Sequence, residues 1–285
     1  MKFKEFLESQ KSKQPHYLLI GNPIGHSISP IMHNVALQHH NLPGEYIAVS
    51  VSGSEITSLI AHCNNEAFLG ANITIPHKET LFDAVDVLSE EAMEIGAINT
   101  LVKSENRLVG HNTDAFGFLA PIEEYEDDLE GERAIVFGTG GATKAIIYAL
   151  KSWNVAEIVL VSRRPENYTD SEESGIIRCS YDNWVAYAED ASIIVNATPL
   201  GMYPNVDASP VHDEELEALQ GKICYDIVYN PRETKFLVQA QKAEGVPIGG
   251  LDMLIYQGAK SFKLWTGHEF PIGLVRMRLE DVFPA

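Results

Sequence analysis

Short runs of aliphatic and β-branched residues alternate along the chain with stretches whose apolar positions recur every three or four residues. The runs Tyr17–Gly21, Glu45–Val51, Leu69–Thr74, Arg133–Phe137, Glu157–Val161, Ser192–Asn196 and Lys222–Val228 predict strands. The periodic stretches Ser29–His40, Ser54–Asn64, His77–Val87, Gly140–Trp153, Asp213–Leu219 and Thr234–Glu244 predict helices. Alternation of this kind predicts an α/β fold with largely parallel sheets. After Val246 the pattern changes: Gly249-Gly250 leads into a helical apolar pattern over Leu251–Gln257, and a last helix starts at Pro271. Residues 1–14 are polar and carry lysines, which predicts a short leading helix or a frayed end. A boundary falls near Asn112–Tyr125, where Asn112 or Thr113 can cap a linking helix through Asp114–Leu119. The expected organisation is an N-terminal α/β domain over residues 1–112 and a second domain over residues 113–249, with C-terminal helices in residues 250–285 packing back on the first.

Composition narrows the partners. With 45% hydrophobic and 21% charged residues the chain reads as a soluble globular protein with true cores. A net charge of −19 argues against nucleic acid and anionic membrane surfaces, though a local basic pocket can still take an anionic substrate. The acidic run Glu123–Glu132 reads as a solvated helix end and loop. Cys63, Cys179 and Cys224 are far apart and odd in number, which points to reduced thiols in the cytoplasm. The ten histidines make no metal-ligand spacing, so no metal is expected. No run has the length of a membrane span, and residues 1–14 lack the apolar core of a signal peptide. Nothing in the pattern separates a monomer from a homodimer.

The second domain opens on Arg133-Ala-Ile-Val-Phe-Gly138-Thr139-Gly140-Gly141-Ala142-Thr143-Lys144, which reads as a buried strand, a glycine turn and a helix start. Thr143 stands where a dinucleotide fingerprint has its third glycine, while Ala142 and Ala145 keep close helix–strand packing possible. About 20 residues further on, NAD-binding units carry an Asp or Glu for the ribose 2′-hydroxyl. Here the run Glu157–Val161 ends instead in Ser162-Arg163-Arg164. Guanidinium groups cannot accept a hydroxyl proton, but they grip a 2′-phosphate with charge-assisted forked bonds. The pattern predicts a Rossmann-like NADP-binding domain, with Gly138, Thr139, Gly140, Gly141 and Ala142 at the pyrophosphate and Ser162, Arg163 and Arg164 at the 2′-phosphate. It therefore predicts hydride transfer.

Further polar motifs stand in order along the chain: Gly21-Asn-Pro-Ile-Gly-His-Ser27-Ile-Ser29-Pro30, Ala71-Asn72-Ile-Thr74-Ile-Pro76-His-Lys78, Gly96-Ala-Ile-Asn99-Thr100 and Gly110-His-Asn112-Thr113-Asp114. After the glycine turn come Asn196-Ala-Thr198-Pro-Leu-Gly-Met202, Asp226-Ile227-Val-Tyr229-Asn-Pro231 and Gly250-Leu-Asp-Met253-Leu-Ile-Tyr-Gln257. Each alone is weak. In this order, over nearly the whole chain after residue 15, they resemble the shikimate dehydrogenase family. The resemblance implies reversible NADPH-dependent reduction of 3-dehydroshikimate to shikimate, on the route to chorismate and the aromatic amino acids.

That substrate is a small ring with a carboxylate, hydroxyls and one reacting carbonyl. The resemblance implies that Ser27 and Ser29, before the helix opening at Pro30, hold the carboxylate, as hydroxyls at a helix start can. It implies that Asn72, Thr74, Asn99 and Gln257 meet the ring hydroxyls, with Tyr229 a further substrate contact, and that Thr198, Ile227, Gly250 and Met253 line the nicotinamide end. Lys78 and Asp114 are the expected catalytic pair: the lysine stabilises and protonates the alkoxide that hydride arrival creates, and the carboxylate orients it. Burial lowers a lysine pKa and a neighbouring Asp raises it, and the sequence leaves the balance open. The chain departs from the family in Ser162-Arg163-Arg164, where Asn-Arg-Thr is common, in Thr139, where Ala is common, and in a longer leading segment. Quinate with NAD is the nearest alternative, disfavoured by Arg163. A non-catalytic NADP-binding regulator is disfavoured by the presence of Lys78 and Asp114, and a methylenetetrahydrofolate dehydrogenase by the full set of ring-hydroxyl partners.

Overall fold

The computed structural model describes residues 1–25, 27–105, 107–167 and 175–282. The strands in chain order are β1 (His16–Gly21), β2 (Glu45–Ser50), β3 (Phe68–Ile73), β4 (Val87–Leu88), β5 (Thr100–Ser104), β6 (Arg107–His111), β7 (Arg133–Phe137), β8 (Glu157–Val161), β9 (Ile176–Cys179), β10 (Ala191–Asn196), β11 (Ile223–Asp226) and β12 (Val246–Gly249). The helices are α1 (Phe3–Glu8), α2 (Ser29–His39), α3 (Ile56–Cys63), α4 (Glu90–Ile95), α5 (Asp114–Leu119), α6 (Glu126–Leu129), α7 (Gly141–Ser152), α8 (Lys235–Lys242), α9 (Gly250–Thr266) and α10 (Ile272–Val282). The chain divides into two compact units, Met1–Asp114 joined by the chain from Ile255 onward, and Ala115–Leu254.

In the first unit six strands run in the order β2-β1-β3-β5-β6-β4. β1 is parallel to β2 and β3, so this part matches the expected parallel sheet. β5 is antiparallel to both β3 and β6, which the alternation pattern did not predict. The β5–β6 reversal is a tight one, with Glu105 in the left-handed region at φ 52°. The expected helix over His77–Val87 is absent; only a 3₁₀ turn forms at Phe82–Ala84. Tertiary bonds override its helical pattern. His77 Nε2 bonds the Val51 carbonyl at 2.7 Å, and Asp86 accepts from the Leu108 N–H at 2.7 Å, drawing the chain into β4 beside β6. Asp213–Leu219 is likewise 3₁₀ rather than α-helical.

Leu18, Ile20, Val49, Ala71 and Ile73 form one core with Leu59 of α3. The leading segment belongs to that core: Phe3 and Phe6 of α1 are fully buried in it, and the Met1 ammonium donates to the Ala48 carbonyl at 3.2 Å. The segment is a packed helix on β2, not a frayed end. The last part of α9 lies against β3 and β5, where Trp265 Nε1 donates to the Leu101 carbonyl at 2.9 Å. Gly70 permits this approach, because a Cβ there would sit 2.5 Å from Trp265 Nε1. α10 packs on α2.

In the second unit the order is β12-β11-β10-β7-β8-β9, and every neighbouring pair is parallel. The strand order reverses between β7 and β10, and open α/β sheets bind ligands at the carboxyl ends of strands at such a point. Both sheet faces are covered, which is why β7, β8 and β10 read as continuous apolar runs.

Candidate active site

In the first unit, Lys78 and Asp114 come from segments 36 residues apart and form an ion pair between Nζ and Oδ2, with only 13% and 8% of their side chains exposed. Asp114 is the first residue of α5, and its own N–H is taken by Asn112 Oδ1 at 2.9 Å, so Asn112 is the residue that caps this helix. The other carboxylate oxygen, Oδ1, accepts from Asn99 Nδ2 at 2.8 Å. Asn99 Nδ2 also faces Gln257 Oε1 at 3.4 Å, which places Gln257 beside the pair. Charge gathers around Asp114. Burial pushes the Glu91 carboxyl up, Lys260 opposes this, and Asp114 reinforces it. His111 is pushed down by burial and then by Lys260.

Thr74 lies just beyond β3, half-buried, with its N–H on the Ile20 carbonyl at 2.8 Å. Gly21 is what lets it approach, since a Cβ there would fall 2.4 Å from Thr74 Cγ2. Ser27 and Ser29 stand at the start of α2, but neither caps it by side-chain bonding to the helix interior: the N-cap is Ile28. Instead Ser27 Oγ accepts the Ser29 N–H at 3.3 Å and lies 3.2 Å from Ser29 Oγ. Asn72 behaves differently from the rest. It is 5% exposed and its amide is turned wholly onto protein partners. Thus Lys78, Asp114, Asn99 and Gln257 are linked in series, each to the next, while Asn72 serves the network behind them.

In the second unit, the glycine turn joins β7 to α7, whose N-cap is Gly140. Gly138 has φ 110°, and a Cβ there would meet the Ala197 carbonyl oxygen at 2.9 Å. A Cβ on Gly140 would meet nothing within 4 Å, so the backbone at the helix start faces open space, as a pyrophosphate requires. Thr143, in the place of the third glycine, is fully buried. Two buried hydroxyls here, Thr143 Oγ1 and Ser162 Oγ, have no partner among the described residues. Arg163 and Arg164 follow Ser162 on the surface beyond β8. An orphaned hydroxyl beside two exposed guanidinium groups fits the 2′-phosphate of NADP.

At the ends of β10 and β11 a buried clasp appears that sequence reasoning did not assign. Asp226 accepts from Thr234 Oγ1 at 2.6 Å, from the Val228 N–H at 2.9 Å and from Asn196 Nδ2 at 3.0 Å. Asn196 Oδ1 in turn takes Thr198 Oγ1 at 2.6 Å and the Thr198 N–H at 3.1 Å. Burial pushes the Asp226 carboxyl up to about 6, against the pull of its three hydrogen bonds. The clasp fixes the loops that carry Thr198, Ile227 and Tyr229. Gly250 is pressed on the same turn, since a Cβ there would lie 2.3 Å from the Ile227 carbonyl oxygen; Met253 follows on α9 and is buried. The available signal was a polar residue closing each apolar run, Asn196 after Ile193-Ile194-Val195 and Asp226 after Ile223-Cys224-Tyr225.

The sequence matches the family model for the shikimate dehydrogenase substrate binding domain over residues 19–101, and that for the shikimate 5′-dehydrogenase C-terminal domain over residues 250–280. The shikimate dehydrogenase (NADP(+)) of Moorella thermoacetica is 37% identical over 276 residues, covering 94% of this chain and 93% of that protein. The crystal structure of shikimate 5-dehydrogenase from Thermus thermophilus, in complex with NADP(H) and shikimate, is similar with a TM-score of 0.82 at 34% identity, covering 94% of this chain and 99% of that one. Quinate dehydrogenase from Corynebacterium glutamicum, in complex with NAD, has a TM-score of 0.83 at 26% identity, covering 94% of this chain and 99% of that one.

Proposed function

Because the chain belongs to the shikimate dehydrogenase family, we propose that it catalyses the reversible NADPH-dependent reduction of 3-dehydroshikimate to shikimate, in the biosynthesis of chorismate and the aromatic amino acids. The observation that carries this reading is the Lys78–Asp114 pair, largely buried, with Asn99 on the carboxylate and Gln257 next to Asn99. Reduction of a ring carbonyl creates an alkoxide that needs a proton. The Lys78 ammonium stabilises that charge and donates the proton. Asp114 aims the ammonium through Oδ2, while Asn99 holds the carboxylate through Oδ1. Gln257 and Thr74 supply the further donors and acceptors that a polyhydroxylated ring requires, and an unpaired group of this kind would cost about 1–3 kcal/mol. Ser27 and Ser29 receive the carboxylate of the substrate.

NADPH, when bound, supplies the hydride. Gly138–Ala142 hold its pyrophosphate at the start of α7, and Ser162, Arg163 and Arg164 hold its 2′-phosphate. Thr198, Ile227, Gly250 and Met253 serve the nicotinamide end, and Tyr229 the substrate. Three free, buried thiols at Cys63, Cys179 and Cys224 fit a reducing compartment such as the cytoplasm. Among the described residues no helix is long and apolar enough to cross a membrane.

The test is Lys78→Met, which keeps the stem and removes the charge. Turnover should fall by about 10²–10⁴-fold, with NADP binding, followed by fluorescence titration, unchanged. Wild-type turnover in Lys78→Met would reject Lys78 as the proton donor.

A further inference from the structure

Behind the Lys78–Asp114 pair lies a buried polar chain of hydrogen bonds, and the backbone and amide groups set the direction of most of its links. The Thr113 backbone N–H can only donate, and it meets Asn99 Oδ1 at 2.8 Å. That fixes the Asn99 amide with its Nδ2 toward Asp114 Oδ1, 2.8 Å away. Thr100 Oγ1 lies 2.9 Å from the same Asn99 Oδ1, which can only accept, and 2.8 Å from Ser261 Oγ, where either hydroxyl can donate. Ser261 on α9 gives its proton to the Gln257 carbonyl, 3.0 Å away and one helical turn earlier. Both hydroxyl oxygens then need a donor. Asn72 faces them with Nδ2, at 3.1 Å from Thr100 Oγ1 and 2.9 Å from Ser261 Oγ. Asn72 Oδ1 is left for the Tyr46 hydroxyl, at 2.7 Å. Tyr46 is anchored in turn, since its backbone N–H and carbonyl are both bonded by the Asn34 side chain, at 2.8 and 2.9 Å. Its ring stacks on His33 with centroids 4.3 Å apart.

With the Thr100 proton on Asn99, each link donates in the same direction: Tyr46 O–H to Asn72 C=O, Asn72 N–H to Thr100 Oγ1, Thr100 O–H to Asn99 C=O, and Asn99 N–H to the Asp114 carboxylate. Hydrogen bonds in a head-to-tail chain polarise one another, and the strengthening is largest out of water. Tyr46, Asn72, Thr100 and Asn99 are all buried. A chain that donates only toward Asp114 holds that carboxylate in one orientation, with Oδ2 presented to Lys78.

We propose that Tyr46, Asn72 and Thr100 are positioning residues for the reaction, acting through Asn99 on the Asp114 carboxylate. This moves Asn72 from the ring-hydroxyl contacts, where its motif suggested it belonged, to the supporting chain. The proposal rests on the assignment of Lys78 and Asp114 as the catalytic pair.

The experiment uses near-isosteric changes, so that packing survives while one proton or one acceptor is lost. Thr100→Val removes the hydroxyl, Thr100→Ser keeps it, and Tyr46→Phe removes the first donor. Each is assayed for kcat and for KM of shikimate and NADP, next to Lys78→Met. Thr100→Val should lower kcat by about 10-fold or more, with KM for NADP unchanged. Tyr46→Phe should lower kcat by a smaller factor, and Thr100→Ser should stay within about threefold of wild type. A merely structural role would lower the melting temperature of Thr100→Val without this split between kcat and KM, and without recovery in Thr100→Ser. Wild-type kcat in Thr100→Val, alongside a severe loss in Lys78→Met, overturns the chain and leaves the catalytic pair standing. Wild-type kcat in Lys78→Met overturns both.

Discussion

The Asp226→Asn substitution should change the stability of the second unit in a way that depends on pH. Asp226 is fully buried and its carboxyl is pushed up from 3.8 to about 6, with burial the leading cause. At about 1.4 kcal/mol for each decade of proton affinity, keeping this group ionised in the folded state costs about 3 kcal/mol. The sign follows from proton counting. Between about 4 and 6 the folded chain holds a proton on Asp226 that the unfolded chain has released, so this group's contribution to stability falls as pH rises through that window and is lowest above about 6. Asparagine never ionises. It also leaves the Thr234 hydroxyl without its acceptor, a cost that does not vary with pH and appears as a constant offset. The stability of Asp226→Asn relative to wild type should therefore improve by about 3 kcal/mol from pH 4 to pH 8. Urea unfolding in a Trp265→Phe background, followed by Trp153 and Trp184 fluorescence, reads the second unit alone. A stability difference that stays constant across this range would refute the reasoning.

Replacing Arg163 and Arg164 together by Ala should raise KM for NADP by about 10–100-fold while leaving KM for NAD unchanged, as steady-state assays with both cofactors would show. Gly138→Ala should destabilise the second unit by about 1–3 kcal/mol, because its Cβ would meet the Ala197 carbonyl oxygen at 2.9 Å and its φ is 110°. Gly140→Ala, with open space around the new Cβ, should keep the melting temperature and weaken only NADP binding, a contrast that calorimetry and titration together would resolve. In the first unit, His16 Nε2 and His62 Nε2 lie 3.0 Å apart, and burial lowers both rings, His62 to about 4. Their contribution to stability is complete above about 6.5 and is lost as pH falls toward 4, the opposite sign to Asp226. His62→Gln should flatten that acid-side loss in urea unfolding of the first unit.

Much of this was legible in the sequence where a local pattern matched the final structure. β7, β8 and β10 are buried on both faces, so they read as apolar runs, and the glycine turn and paired arginines stood at meaningful distances from them. Lys78, Asp114, Asn99 and Gln257 were identified by their motifs, and the fold brings them into contact. Other features depend on partners distant in sequence. β5 and β6 carry Lys103 and Arg107 and become strands only by pairing with β3 and each other. The His77–Val87 segment has a helical pattern, but Val51 and Leu108 hold it in another shape. The inward turn of Asn72 could not be read from a motif, because it is decided by Tyr46 and Ser261, 26 residues before and 189 residues after it. The buried leading helix was hidden by its lysines, which occupy the outer side while Phe3 and Phe6 face the core.

The most direct measurement is the rise in reduced-nicotinamide absorbance when the purified protein is given shikimate and NADP, with parallel reactions holding NAD in place of NADP and quinate in place of shikimate. Rapid turnover with shikimate and NADP, slow or none in the other pairs, is the predicted result. Turnover confined to quinate with NAD would contradict the assigned substrate and the role given to Arg163 and Arg164, and an absence of turnover with NADP still bound would contradict the assignment of an enzyme.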